Sequence, residues 1–148
     1  MNFNNFTIKS QETIQQAQQL AQQYGHQQIE NEHIFKALLE TDQNVTPFIL
    51  KKVGINYPLF QQVLDSTIQS FPKVSGGDIM LSREANKALV EAGNIAKKMN
   101  DEYVSIEHLV LAIFNDLFTV LVLGFMCIKV PYKVRIRFNF WIFAVFAD

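Results

Sequence analysis

Three histidines are the side chains in this chain best suited to chemistry, and two of them share one setting. His33 follows Glu32 and His108 follows Glu107, each pair opening a segment with helical periodicity. An imidazole beside a carboxylate could ligate a metal or serve as a general base. Neighbouring positions on a helix diverge rather than converge, however, and no His-Glu-x-x-His spacing sets two imidazoles on one face. His26 falls in a predicted loop. His33 and His108 are therefore expected to fix helix entrances, with no catalytic residue and no metal site assigned. Gly76-Gly77 is followed by Asp78, which would repel a phosphate, and these 148 residues contain no G-x-x-x-x-G-K-[ST] loop. Neither ATP hydrolysis nor a cofactor is expected of them. Cys127, alone, can make neither an internal disulfide nor a thiolate cluster.

The elements that would position these groups are helical. Ile14, Ala17, Leu20, Ala21 and Tyr24 recur at three- and four-residue spacing, predicting a helix over 7–24 with Thr7 as N-cap and Gly25 just past its end. Its other face is glutamine-rich, as a solvated face would be. A second helix is predicted over 31–40, with Ile34, Ala37 and Leu38 inward. A third over 47–53 is capped by Thr46 and stopped by Gly54. A fourth over 58–70 turns Leu59, Val63, Leu64 and Ile68 inward. The stretch FPKVSGGD, 71–78, cannot continue a helix and reads as a linker or exposed loop. A fifth helix starts at Ser82, with Ala85, Ala88, Leu89, Ala92, Ile95, Ala96 and Met99 as its stripe. A sixth starts at Ser105, with Ile106, Leu109, Ala112 and Ile113.

Sliding the second half back by 75 positions sets Glu107-His108 on Glu32-His33. The same shift pairs Thr7 with Ser82, Ile14 with Leu89, Ala17 with Ala92, Leu20 with Ile95 and Ile29 with Val104. Caps fall on caps and apolar positions on apolar positions without a gap, so each half is one helical unit.

The copies read IENEHIFKALLE and VSIEHLVLAIFN, separated by a Gly-Gly linker. This arrangement resembles the amino-terminal repeat domain of Clp chaperone ATPases. The segments VTPFILKKVGI and FPKVSGGDIMLS are similar to its disaggregase branch, ClpB. The resemblance implies an all-α fold of two pseudo-symmetric four-helix repeats, with the second incomplete here. It divides the chain into a domain over 1–115 (repeat one 6–71, linker 72–80, repeat two 81–115) and an atypical hydrophobic tail over 116–148. It implies a protein-binding module that hands unfolded or aggregated protein to the AAA+ ring of a parent chaperone, where ATP is used. Partners would enter an apolar groove between the first helices of the two repeats. Thr7, Asp101 and Glu107 match the family's functional motif, and Leu89 is placed with them as partner-binding. Thr7 and Glu107 also have purely structural readings, as a cap and a first-turn carboxylate, whereas Asp101 in a loop does little for folding. A free-standing adaptor using the same surface is the alternative.

After Asn115 the repeat fails. Residues 117–128 are apolar but too few for an ordinary spanning helix, and 133–140 alternate basic or polar with apolar, a strand period. The economical reading is sequence outside the original frame; a membrane-associating hairpin is the alternative. Bulk properties agree with one helical domain: 49% hydrophobic, 18% charged, and a net charge of −1 that gives no reason to expect nucleic acid. The start MNFNNFTIKS lacks the basic-then-apolar pattern of a secretory signal, and a cytoplasmic, reducing compartment is expected.

Overall fold

The computed structural model describes residues 3–52, 55–74 and 76–114. Readings that fall on Gly54 and on the tail over 116–148 lie outside the described residues. Each helix is set by local chemistry at its ends. Helix α1, Ile8–Tyr24, begins where Thr7 Oγ1 accepts the Ser10 N–H at 3.3 Å. It ends where Gly25 adopts a left-handed φ of 75°. Helix α2 runs Asn31–Thr41, α3 Val45–Lys52 and α4 Tyr57–Ser70, the last capped by Asn56. Helix α5, Arg83–Lys98, is capped by Ser82, and α6 occupies 106–114.

Two sequence expectations need correction. The start of α3 is not a Thr46-Pro47 cap, for Thr46 lies inside the helix and is buried. The free amides there are met by Asp42 instead, whose carboxylate accepts from Thr46 N–H at 2.6 Å and Asn44 N–H at 3.4 Å. Burial alone would raise the Asp42 pKa. Those amides, with Lys9 Nζ at 3.1 Å, outweigh burial and hold it below the usual carboxylate range. Leu59, expected inward, is 40% exposed; Leu64 and Ile68 are buried and Phe60 packs on the core in its place. The reason is register: Tyr57 and Pro58 enter the helix ahead of it, and its inner face runs through 60, 64 and 68.

The core is one cluster drawn from both halves. Helix α2 lies at its centre, touching α1, α3, α4 and α5. Phe35, fully buried on α2, meets Phe60 edge-on at 5.3 Å and Phe114 of α6 at 6.2 Å, joining the two repeats. Lys36 on the outer side of α2 reaches Asp65 of α4 at 2.6 Å, strapping the two helices together.

The repeats also exchange short extended segments. Strand β1, Gln28–Ile29 before α2, pairs in parallel with β2, Met80–Leu81 before α5. Phe6, before α1, bridges in parallel to Val104, before α6. The two pairings are related by the 75-residue shift, and so are their flanking hydrogen bonds: Thr7 N–H to Val104 O at 3.0 Å and Ser82 N–H to Ile29 O at 3.1 Å. Each repeat's first helix is thus launched from the other repeat's loop.

Candidate functional site

The two Glu-His pairs open α2 and α6 in the same way. His33 Nδ1 accepts the Glu30 N–H at 3.0 Å, and His108 Nδ1 accepts the Ser105 N–H at 3.0 Å. Both imidazoles are buried, and both fasten helix entrances as the sequence suggested. With Nδ1 accepting, the ring proton sits on Nε2 and points at whatever occupies the preceding loop. In repeat one that is His26, whose Nδ1 lies 2.9 Å from His33 Nε2. In repeat two it is Asp101, whose Oδ2 lies 3.0 Å from His108 Nε2. The carboxylate stands off the line of a good hydrogen bond, so it offers the imidazole charge more than a directed contact.

His26 and Asp101 are themselves equivalent under the 75-residue shift. Both follow a left-handed residue, Gly25 at φ 75° and Asn100 at φ 59°. Both backbone N–H groups return to the helix before them, His26 to Ala21 O at 2.8 Å and Asp101 to Ala96 O at 2.9 Å. Their surroundings differ. His26 is 4% exposed, while the Asp101 side chain is 51% exposed. Over His26 lie Tyr24, stacked at 5.7 Å, and Phe71, edge-on at 5.8 Å. Burial lowers the His26 pKa, and the nearby Lys73 lowers it further. Burial, and then His26, push the His33 pKa down to about 4. The pair is held neutral.

Of the residues singled out in the sequence, the fold brings three to one end of the molecule. The Thr7 backbone bonds to Val104, which lies between Asp101 in the loop and Glu107 in the first turn of α6. Thr7 and Glu107 are half-buried, and Asp101 is exposed. Leu89 does not join them. It is 1% exposed, on the α5 stripe with Ala85, Ala88, Ala92 and Ala96, so it holds the core and cannot meet a partner. Val90, beside it, is the residue that faces outward. Two apolar side chains flanking this end escaped the sequence reading: Ile8, directly after Thr7, and Tyr103, directly before Val104, both exposed. Their signal was present, since neither falls on an inward stripe.

Under the 75-residue shift the counterparts of Thr7, Asp101 and Glu107 are Ser82, His26 and Glu32. Ser82 and His26 are buried. Burial raises the Glu32 pKa, opposed by its own backbone N–H and assisted by the charge of Glu30. One end is therefore closed over a neutral pair of imidazoles, and its twin leaves the Asp101 carboxylate exposed. Among the described residues no group of three His, Cys, Asp or Glu side chains is placed to hold a metal ion. No helix among them is long and apolar enough to cross a membrane.

The profile of the Clp repeat (R) N-terminal domain matches residues 5–121. The chain is 50% identical over 115 residues to the chaperone protein ClpB of Bacteroides thetaiotaomicron and 45% identical over 115 residues to that of Porphyromonas gingivalis. Each match covers 78% of this chain and 13% of the relative, so the chain spans a small part of their length. The Hsp104 N-terminal domain from Candida albicans superposes with a TM-score of 0.70 at 22% identity, covering 80% of this chain and 82% of that one. The N-terminal domain of the ClpV1 ATPase from Escherichia coli superposes at 0.69 with 19% identity, covering 77% of this chain and 69% of that one. The chain belongs to the Clp repeat N-terminal domain family, and its all-helical fold is the one these structures share.

Proposed function

We propose that this domain is the protein-binding module of a ClpB-like disaggregating chaperone, capturing unfolded or aggregated segments in the cytoplasm for a parent AAA+ ring that consumes ATP. The observation that carries the reading is the asymmetry of the two equivalent ends. Exposed Asp101 lies with half-buried Thr7 and Glu107 at an end flanked by exposed Ile8 and Tyr103, while at the equivalent end Ser82 and His26 are buried and only Glu32 is half-buried. An acidic, partly apolar surface on a preformed scaffold is suited to polypeptide, whose backbone and mixed side chains need both kinds of contact. Among the described residues at this end, His108 Nδ1 is committed to a helix entrance and Thr7 to capping α1, as befits a binding surface rather than a catalytic one.

The test is binding of the full chain to a permanently unfolded protein, followed by fluorescence anisotropy. Asp101→Ala should weaken that binding several-fold while changing folding stability by no more than about 0.5 kcal/mol, as for an exposed position outside the core. Calorimetry with ATP and Mg²⁺ should show no saturable heat. Equal affinity of Asp101→Ala and wild type would remove this end from the binding surface.

A further inference from the structure

The chain leaving α4 lies across two imidazoles that have no place for another proton. The Glu30 N–H occupies His33 Nδ1, so the one ring proton of His33 stands on Nε2 and is donated to His26 Nδ1, 2.9 Å away. The His26 proton is then on Nε2, which is buried and finds no acceptor among the described residues. Both acceptor nitrogens of the pair are taken. A second proton on His26 would set two N–H groups head to head, and one on His33 would face the Glu30 N–H. Either ring can gain a proton only by breaking a hydrogen bond that holds it. Of the two, His33 fastens a helix, whereas His26 belongs to a loop and is covered by Phe71.

That cover is light. Phe71 sets its ring edge-on to His26 at 5.8 Å, Val74 donates its N–H to Gly25 O at 2.9 Å, and Gln27 Nε2 donates to Gly76 O. Pro72, Lys73 and Val74 are exposed, and Phe71 is only half-buried. A segment with so few buried contacts opens more readily than the helices it joins. Charge acts in the same direction. The end of α1 presents Tyr24 to the pair, the end of α4 presents Phe71, and the linker presents Lys73, whose cation disfavours a charge on His26 while the linker is seated. Glu30 and Glu32 stand at the start of α2 and Asp78 further along the linker. Among the described residues none of their carboxylates bonds to either ring.

We infer that Phe71–Val74 is an acid-released strap. When His26 gains a proton it swings out to water, parting from His33 Nε2 and from the Phe71 ring, and the strap lifts while the helices stay folded. Water then accepts the His33 Nε2–H, and His33 Nδ1 goes on holding the Glu30 N–H. Repeat two has no such pair, for Asp101 stands where His26 does. Release of the strap is independent of what the open end binds. Burial lowers the pKa of both imidazoles while the strap is seated, whereas lifting it returns His26 toward the ordinary 6.5. The lifted state therefore binds more protons, and it gains population as pH falls below 6.5.

Amide exchange of the full chain, followed by NMR and expressed as protection relative to an unstructured peptide at the same pH, reads the strap directly. Between pH 7 and pH 5 the Val74 amide should lose about tenfold in protection. At pH 5 its exchange should not respond to dilute urea, as for a local opening, while that of Leu38, buried within α2, should quicken with urea as for global unfolding. His26→Gln and His26→Phe cannot titrate, and each should remove most of the Val74 loss, the second keeping a ring between Tyr24 and Phe71. Unchanged Val74 protection in the wild-type chain would overturn the inference. So would a Val74 response to urea as steep as that of Leu38, because the acid effect would then be global. A tenfold loss that persists in either substituted chain would also overturn it, because His26 would not be the trigger.

Discussion

The ends of repeat one and repeat two are built on one backbone plan and finished in opposite ways. Each has a left-handed residue closing the first helix, an N–H returning to that helix, and a histidine whose Nδ1 holds the next helix entrance. The residue at one position, His26 or Asp101, separates them. An imidazole can be buried neutral, and the linker folds over it with Phe71 and Val74. A carboxylate buried there would have to be paired or protonated. The two ends thus share one backbone geometry, while the side chain at this position is buried under the linker in repeat one and exposed in repeat two.

The same comparison applies to the core, where the largest effects are expected. Leu20 on α1 and Ile95 on α5 are equivalent in sequence, but Leu20 is 5% exposed while Ile95 is only partly buried. Leu20→Ala should cost roughly 2–5 kcal/mol by leaving a cavity, and Ile95→Ala clearly less, because its site is already open on one side. Chemical denaturation of the two variants measures this. Equal losses would mean that the repeats are packed alike and that the difference at their ends does not extend inward.

Acid should act on repeat one first. The folded chain keeps His33 unprotonated down to about 4, from burial and then from His26, whereas the unfolded chain takes up that proton near 6.5. Between those values the unfolded state binds more protons, so stability falls as pH is lowered through the window and levels off beneath it. The loss from His33 is on the order of 3 kcal/mol at most. His26→Asp copies the repeat-two residue into repeat one. It should raise the His33 titration followed by NMR and flatten the pH dependence of stability between 6.5 and 4. An unchanged His33 titration would show that burial alone, without His26, sets it.

Much of this contrast was legible before the fold was known. The 75-residue shift, the caps at Thr7 and Ser82, and the anchoring role of His33 and His108 follow from residue type and spacing, because caps and helix entrances are local. The third helix was misplaced by two residues because Thr46-Pro47 has the right local chemistry, yet Asp42, four residues before Thr46, was the better acceptor. The histidine pair was missed because contact between His26 and His33 depends on how the loop turns back on α2, which no periodicity records. FPKVSGGD was readable as non-helical, but its docking was not. Gly77, at φ 111°, comes so near Gln27 that an added Cβ would lie 2.8 Å from Nε2, a constraint visible only when the linker is seated. Leu89 illustrates the reverse error, for its place on the apolar stripe argued for the core more strongly than for a surface.

The finest contrast lies in the turn residues themselves. Gly25 and Asn100 both hold a left-handed conformation, at φ 75° and 59°, which a residue with a Cβ adopts at a cost of about 1–2 kcal/mol and asparagine at less. The Cβ introduced by Gly25→Ala would stand 4.0 Å from Lys73, an ordinary contact, so the linker need not move. The expected loss is therefore conformational, about 1 kcal/mol, with His33 titrating as before. Asn100→Gly removes the smaller strain and adds chain entropy to the unfolded state, so the two terms oppose and stability should change by less than about 0.5 kcal/mol. Urea denaturation of the pair separates conformation from cover. A loss well above 2 kcal/mol for Gly25→Ala, with an upward shift of His33, would mean that the added methyl lifts the linker from its seat. Closure of repeat one would then depend on the absence of a side chain at residue 25 as much as on the neutrality of His26.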